Sequence, residues 1–189
     1  MQLRLSGTFL TTITALSFFL LSHHVAAESV KINMVFVPAS EKGDDNDYVK
    51  LINIIGKLAQ VEIKPIRVTD YNAAVESMRA GRAQIAWYGG KTYIQAAKIA
   101  YAEAFAAGVR KGDTTAGYYT YFVVREDSAI KTLDDTRGKT LALNSIGSTS
   151  GDLIPQVELR KIGLSTKNKK HFKRVVYAGS HDASLLAVI

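Results

Sequence analysis

The chain has 189 residues, no cysteine and a formal charge of +7, which excludes a disulfide framework and the cysteine of a lipoprotein anchor. Its 24 basic and 17 acidic residues are mixed along the chain, with only residues 167–174 locally basic, so no stripe for nucleic acid is formed. A modest positive balance suits a small anionic ligand.

The N-terminus has the layout of a secretory signal. Arg4 gives a weakly positive start, residues 9–21 form an apolar run, and Val25-Ala26-Ala27 supplies the small residues that a signal peptidase requires. Thr11, Thr12, Thr14 and Ser17 interrupt the run, which is short beside the roughly 20 apolar residues of a membrane span. Residues 1–27 are therefore expected to be a cleaved signal peptide. No stable membrane insertion is expected after cleavage, and about 160 residues remain, enough for one domain or two small lobes.

Beyond it, residues 30–37 form an apolar run closed by Pro38 and predict a buried parallel strand. Leu51, Ile52, Ile54, Ile55 and Leu58 make a helical stripe over 48–58 that is expected to pack on the sheet. Residues 61–68 predict a second strand, in which Pro65 is accommodated best at a sheet edge or a bulge. Thr69 or Asp70 is placed to cap a helix that Gly81 ends, and residues 84–88 form a third strand, with Trp87 expected in the core. An Ala-rich helix follows over 92–99. This β-α-β-α-β-α alternation is the pattern of a parallel sheet covered by helices.

Residues 118–125 alternate as a longer strand able to cross between lobes, and a short helix is expected around Leu133-Asp134-Asp135. The strand at 139–143 runs into Asn144-Ser145-Ile146-Gly147-Ser148-Thr149-Ser150-Gly151 and then a helix over 152–162. A last strand at 174–177 precedes Ala178-Gly179-Ser180-His181. The final residues, 182–189, read as the first turns of an apolar helix without a stop signal, which suggests a fragment of a longer protein.

In open α/β sheets the ligand lies beyond the carboxyl ends of the strands. The turns at those ends carry Ser40, Tyr71, Tyr88, Ser148, Thr149, Ser150 and His181. Hydroxyls, an imidazole and helix N-termini together suit a tetrahedral oxyanion, with few competing carboxylates. Plainer alternatives stay open at each position. The Ser/Thr turn can be an ordinary helix cap, the tyrosines partly buried aromatics, and His181 a cap of its own helix.

An enzymatic alternative comes from residues 147–151, which outline a nucleophile elbow between strand and helix. The central residue is Thr149, however, and His181 has only its neighbour Asp182 as a nearby acid in sequence. No P-loop lysine follows a glycine loop, and no metal-ligand spacing is present. Neither a cofactor nor a metal is expected.

Asp70-Tyr71, residues 78–81, residues 83–89, Gly117-Tyr118-Tyr119, residues 147–151 and residues 178–183 occur in an order that resembles the phosphonate-binding periplasmic protein family, the substrate-binding components of phosphonate ABC importers. The resemblance covers residues 30–189. It implies a type II periplasmic binding fold of two α/β lobes with mainly parallel sheets, the first over 28–120 and an incomplete second over 121–189. It also implies that Tyr71, Tyr88, Ser148, Thr149, Ser150 and His181 hold a phosphonate-type anion, with an inner-membrane ABC permease as partner. Gln84 departs from the aspartate usual in that strand, and the acidic loop at 39–47 puts Ser40 in doubt as a contact.

Overall fold

The computed structural model describes residues 30–39, 45–167 and 170–189. The expected signal peptide and Ser40 lie outside these residues.

Three short strands make the first sheet. β1 (Lys31–Phe36) lies between β2 (Glu62–Ile66) and β3 (Ile85–Trp87), parallel to both, in the order β2-β1-β3. Alternation along β1 builds two cores at once. Met34 and Phe36 pack with Ile52 and Ile63 on the face covered by α1 (Asp45–Ala59). Val35 and Val37 pack with Tyr71, Ala74 and Ala83 on the other face, beneath α2 (Tyr71–Arg79). Pro65 falls in the edge strand, where its missing N–H leaves no ladder bond unmade.

The helix boundaries follow their caps. Asp70 Oδ1 accepts the Ala73 N–H at 2.9 Å and starts α2. Gly81 stops it with φ +70°, the left-handed conformation that glycine adopts without steric cost. α3 (Gly90–Ile99) then starts directly beyond β3 and packs beside α2. Gln84 clamps the start of β3: its Oε1 accepts the Asn33 N–H at 2.9 Å and its Nε2 donates to the Gly81 carbonyl at 2.8 Å.

A second parallel pair, β4 (Thr140–Leu143) with β5 (Arg174–Tyr177), forms another α/β unit. Its core of Leu159, Leu164 and Phe172 lies beneath α4 (Ile154–Lys161). The expected boundary at residues 120 and 121 falls in the segment between the two sheets. α5 (His181–Leu186) follows β5, capped by Ser180, whose Oγ accepts the Ala183 N–H at 3.0 Å. Among the described residues no helix is long and apolar enough to cross a membrane.

Three expectations are corrected. Residues 118–125 are not a strand, and Tyr118, Tyr119, Tyr121 and Val123 are exposed. Alternation supplies two faces, but a strand needs a ladder partner, and β4 and β5 are hydrogen-bonded only to each other. Trp87 is 41% exposed rather than in the core. It ends an edge strand on the α1 face, against the backbone at Gly108 rather than beneath a helix. The helix after the Ser/Thr turn starts at Ile154 instead of 152, because residues Thr149–Leu153 form one wider π turn.

Leu159 is fully buried, so Leu159→Ala should cost about 2–5 kcal/mol of stability in urea unfolding. Of the stripe expected on the sheet, Ile52 and Ile55 pack in the core while Ile54 and Leu58 are exposed, so Leu58→Ala, at an 81% exposed position, should stay within about 0.5 kcal/mol.

Candidate functional site

The carboxyl ends of the two sheets face one another. The Ala39 carbonyl after β1 accepts the His181 N–H after β5 at 3.1 Å, and the start of α3 lies against the turn after β4. The polar turns of both units are thereby gathered along one seam.

The centre of the seam is the Ser148-Thr149-Ser150 turn. Ser148 is 1% exposed and its Oγ accepts the Gly151 N–H at 3.0 Å, so it is a true helix cap. The Gly151 carbonyl in turn accepts the Asn144 N–H at 2.9 Å, tying the turn to the end of β4. Thr149 Oγ1 accepts the Lys91 backbone N–H at 2.9 Å. A hydroxyl with one lone pair occupied in this way still has its own O–H to donate. Ser150 Oγ stands 3.5 Å from His181 Nε2, at the outer limit of a hydrogen bond, and its carbonyl accepts from Thr120 Oγ1 at 2.9 Å. The N–H groups of the turn's first residues are those that a helical turn leaves without a partner, and they carry the positive end of its dipole.

Tyr71 approaches from the opposite unit. It is 3% exposed, and its hydroxyl accepts the Asn144 Nδ2 at 3.4 Å. Burial raises its pKa, while bonds with Ser148 and Asn144 pull in the opposite direction. The phenol stays protonated and can donate. Burial likewise lowers the His181 pKa, which the charge of Asp182 opposes.

Tyr88 is the expected contact that does not join this group. Its ring packs on the α2 face of the first sheet, and its hydroxyl donates to the Ala74 carbonyl at 3.0 Å. Burial pushes its pKa up to about 12. Strand alternation explains the placement, because Tyr88 continues the Ala86 face of β3 under α2. Tyr118, by contrast, reaches the seam. Its hydroxyl lies near Gly89, where Thr149 also packs, and its charge would act on Tyr71. The signal for it was present in Gly117-Tyr118-Tyr119, yet a strand assignment gives neither tyrosine a reason to point at the turn.

Two residues missed in sequence are Asn144 and Asp152. Both are 1% exposed, and both sit where a strand end and a helix start are ordinarily solvated. Asn144 Oδ1 has no hydrogen-bond partner. Asp152 corrects the expectation of few carboxylates near the turn. Its carboxylate takes Lys91 Nζ at 2.5 Å, the Tyr177 hydroxyl at 2.9 Å and Gln156 Nε2. Among the described residues no group of three His, Cys, Asp or Glu side chains could hold a metal ion.

Residues 34–189 match the family described as the periplasmic substrate-binding protein of the phosphonate ABC transporter. The chain belongs to this phosphonate-binding family. It is 28% identical over 184 residues to the phosphonates-binding periplasmic protein of Escherichia coli, covering 94% of this chain and 53% of that one. It is 29% identical over 164 residues to the phosphate-import protein PhnD of Mycolicibacterium smegmatis, covering 83% and 51%. Among solved structures, a binding-protein component of an ABC phosphonate transporter from Pseudomonas aeruginosa superposes with a TM-score of 0.76 at 26% identity, over 85% of this chain and 54% of that one. PhnD1 of Prochlorococcus marinus, solved with methylphosphonate, shares the fold with a TM-score of 0.61 at 22% identity, over 84% and 59%. The chain thus has the α/β fold of periplasmic binding proteins and spans about half the length of the relatives it matches.

The turn is held by close packing as well as by hydrogen bonds. A Cβ at Gly147 would lie 2.4 Å from Tyr71 Cβ, so Gly147→Ala must push the turn from α2. A loss of about 1–3 kcal/mol is expected in urea unfolding. Gly117→Ala, where no atom lies within 4 Å, should leave stability within about 0.5 kcal/mol.

Proposed function

We propose that this protein is an exported, non-enzymatic binding protein that captures a phosphonate or a related phosphorus oxyanion in the periplasm and delivers it to an inner-membrane ABC permease. The observation that carries the reading is the convergence of the turn's first-turn N–H groups, the Thr149 and Ser150 hydroxyls, the Tyr71 phenol and the His181 ring from both α/β units. Every one of these groups can donate. A tetrahedral oxyanion accepts from several directions, and donors approaching an anion give the stronger, charge-assisted class of hydrogen bond. Tyr88 supports α2 from behind, its hydroxyl bonded to the Ala74 carbonyl.

The Ser150 and His181 contact is the element that a hydrolytic reading would use. Its 3.5 Å length and the position of Asp182 next to His181 in the chain favour binding over nucleophilic attack, which needs a base oriented by a third group. Thr149, the first residue of the π turn, and not a serine stands at the centre of the elbow.

Closure of two lobes on the anion would exclude water and strengthen each donor contact. The organic substituent then points away from the donors, so the turn selects the oxyanion and other surfaces select its substituent.

A thermal-shift panel of methylphosphonate, phosphite, phosphate and a sulfonate tests the reading. Stabilisation by phosphorus oxyanions is expected. Stabilisation by the sulfonate alone contradicts the phosphorus assignment, and ester turnover lost in Ser150→Ala contradicts the binding assignment. Thr149→Ala and His181→Ala should each weaken binding by about 1.5–3 kcal/mol, the cost of a lost hydrogen bond to a charged group.

A further inference from the structure

The turn that presents the donors is held from the opposite unit by two successive residues of α3. The Lys91 N–H donates to Thr149 Oγ1, and Thr92 Oγ1 donates to the Gly147 carbonyl at 2.8 Å from a fully buried position. The Lys91 ammonium then reaches past both, to the Ile146 carbonyl and to Asp152 Oδ2. One side chain therefore fastens the turn at its start and near its end.

Asp152 gives that contact a chemical purpose. It is almost wholly buried, in the π turn directly after Thr149, Ser150 and Gly151. A carboxylate so placed faces two difficulties. It has lost its hydration, which must be replaced by donors and by a countercharge. Its field also opposes any anion drawn to the same turn. Tyr177 and Gln156 supply neutral donors, and among the groups bonded to Asp152 only Lys91 supplies a positive charge.

We propose that Lys91 is a positioning residue for the oxyanion site. By pairing with Asp152 and bonding the Ile146 carbonyl, it cancels the carboxylate beneath the turn and fixes the Ser148-Thr149-Ser150 donors against α3. This rests on the oxyanion reading of the turn. Because Lys91 belongs to the first α/β unit and Asp152 to the second, the turn attains its full attraction for anions only when the two units meet. Capture of the anion and approach of the units are thereby coupled through one ion pair.

Isothermal titration of methylphosphonate into the full chain, alongside thermal unfolding, tests the proposal with Lys91→Met, Lys91→Arg, Asp152→Asn and the double variant Lys91→Met/Asp152→Asn. Lys91→Met is expected to bind at least tenfold more weakly, because it leaves the carboxylate uncompensated. Lys91→Arg should recover most of the affinity. The double variant should return to within about threefold of the unmodified protein. A residue that serves stability alone would lower the melting temperature and leave the affinity of the folded variants unchanged. Undiminished binding by Lys91→Met overturns the proposal by itself, and so does a folded double variant that remains tenfold weak. Failure of the unmodified protein to bind methylphosphonate, phosphite or phosphate overturns the oxyanion reading and this proposal with it. Should Lys91→Met not fold, the double variant and Lys91→Arg decide the matter on the same criteria.

Discussion

The structure depends on how polar groups are satisfied where two parallel sheets end against each other. The carboxyl end of a parallel strand leads into a helix whose first N–H groups have no partner. Two such ends brought together concentrate unpaired donors in a small space. Here the seam is stitched by Thr149 with Lys91, Thr92 with Gly147, Asn144 with Tyr71 and His181 with Ala39. Each bond pairs one donor with one acceptor, and together they engage the N–H groups of Lys91 and His181, but none of the four uses the N–H of Thr149 or Ser150.

The fold around the seam follows from simple rules. β1 sorts its side chains by alternation, giving α1 one face and α2 the other. Short β-α connections then place Tyr71 and Gly89 at the same edge of the sheet. The second unit repeats the device with Ser148 and Ser180 as caps, each accepting the N–H three residues ahead. A strand followed closely by a helix start thus recurs at each of these turns, capped by Asp70 in the first unit and by Ser148 and Ser180 in the second.

Much of this was legible in the residues. The five strands β1 to β5, the Asp70 cap, the Gly81 stop and the edge position of Pro65 follow from periodicity and local backbone chemistry. What escaped depends on contacts far apart in the chain. The run at 118–125 has strand alternation, but pairing is a property of neighbours, not of the run. Trp87 has a core residue's composition, yet edge strands leave one side uncovered. Tyr88 and Tyr118 exchanged places as approach to the seam was decided by sheet face and by the path of the connecting segment. Asp152 appeared in sequence only as the first residue of a helix, and its partner Lys91 lies 61 residues earlier in the chain.

The central proposal is that an oxyanion is held by the backbone and hydroxyl donors at the start of the Ser148-Thr149-Ser150 turn. An amide-resolved NMR titration of the isotope-labelled protein with methylphosphonate tests this most directly. The Thr149 and Ser150 N–H resonances are predicted to show the largest downfield shifts, saturating together with one affinity. Saturable binding whose shifts fall elsewhere and leave these two amides unmoved would contradict the account.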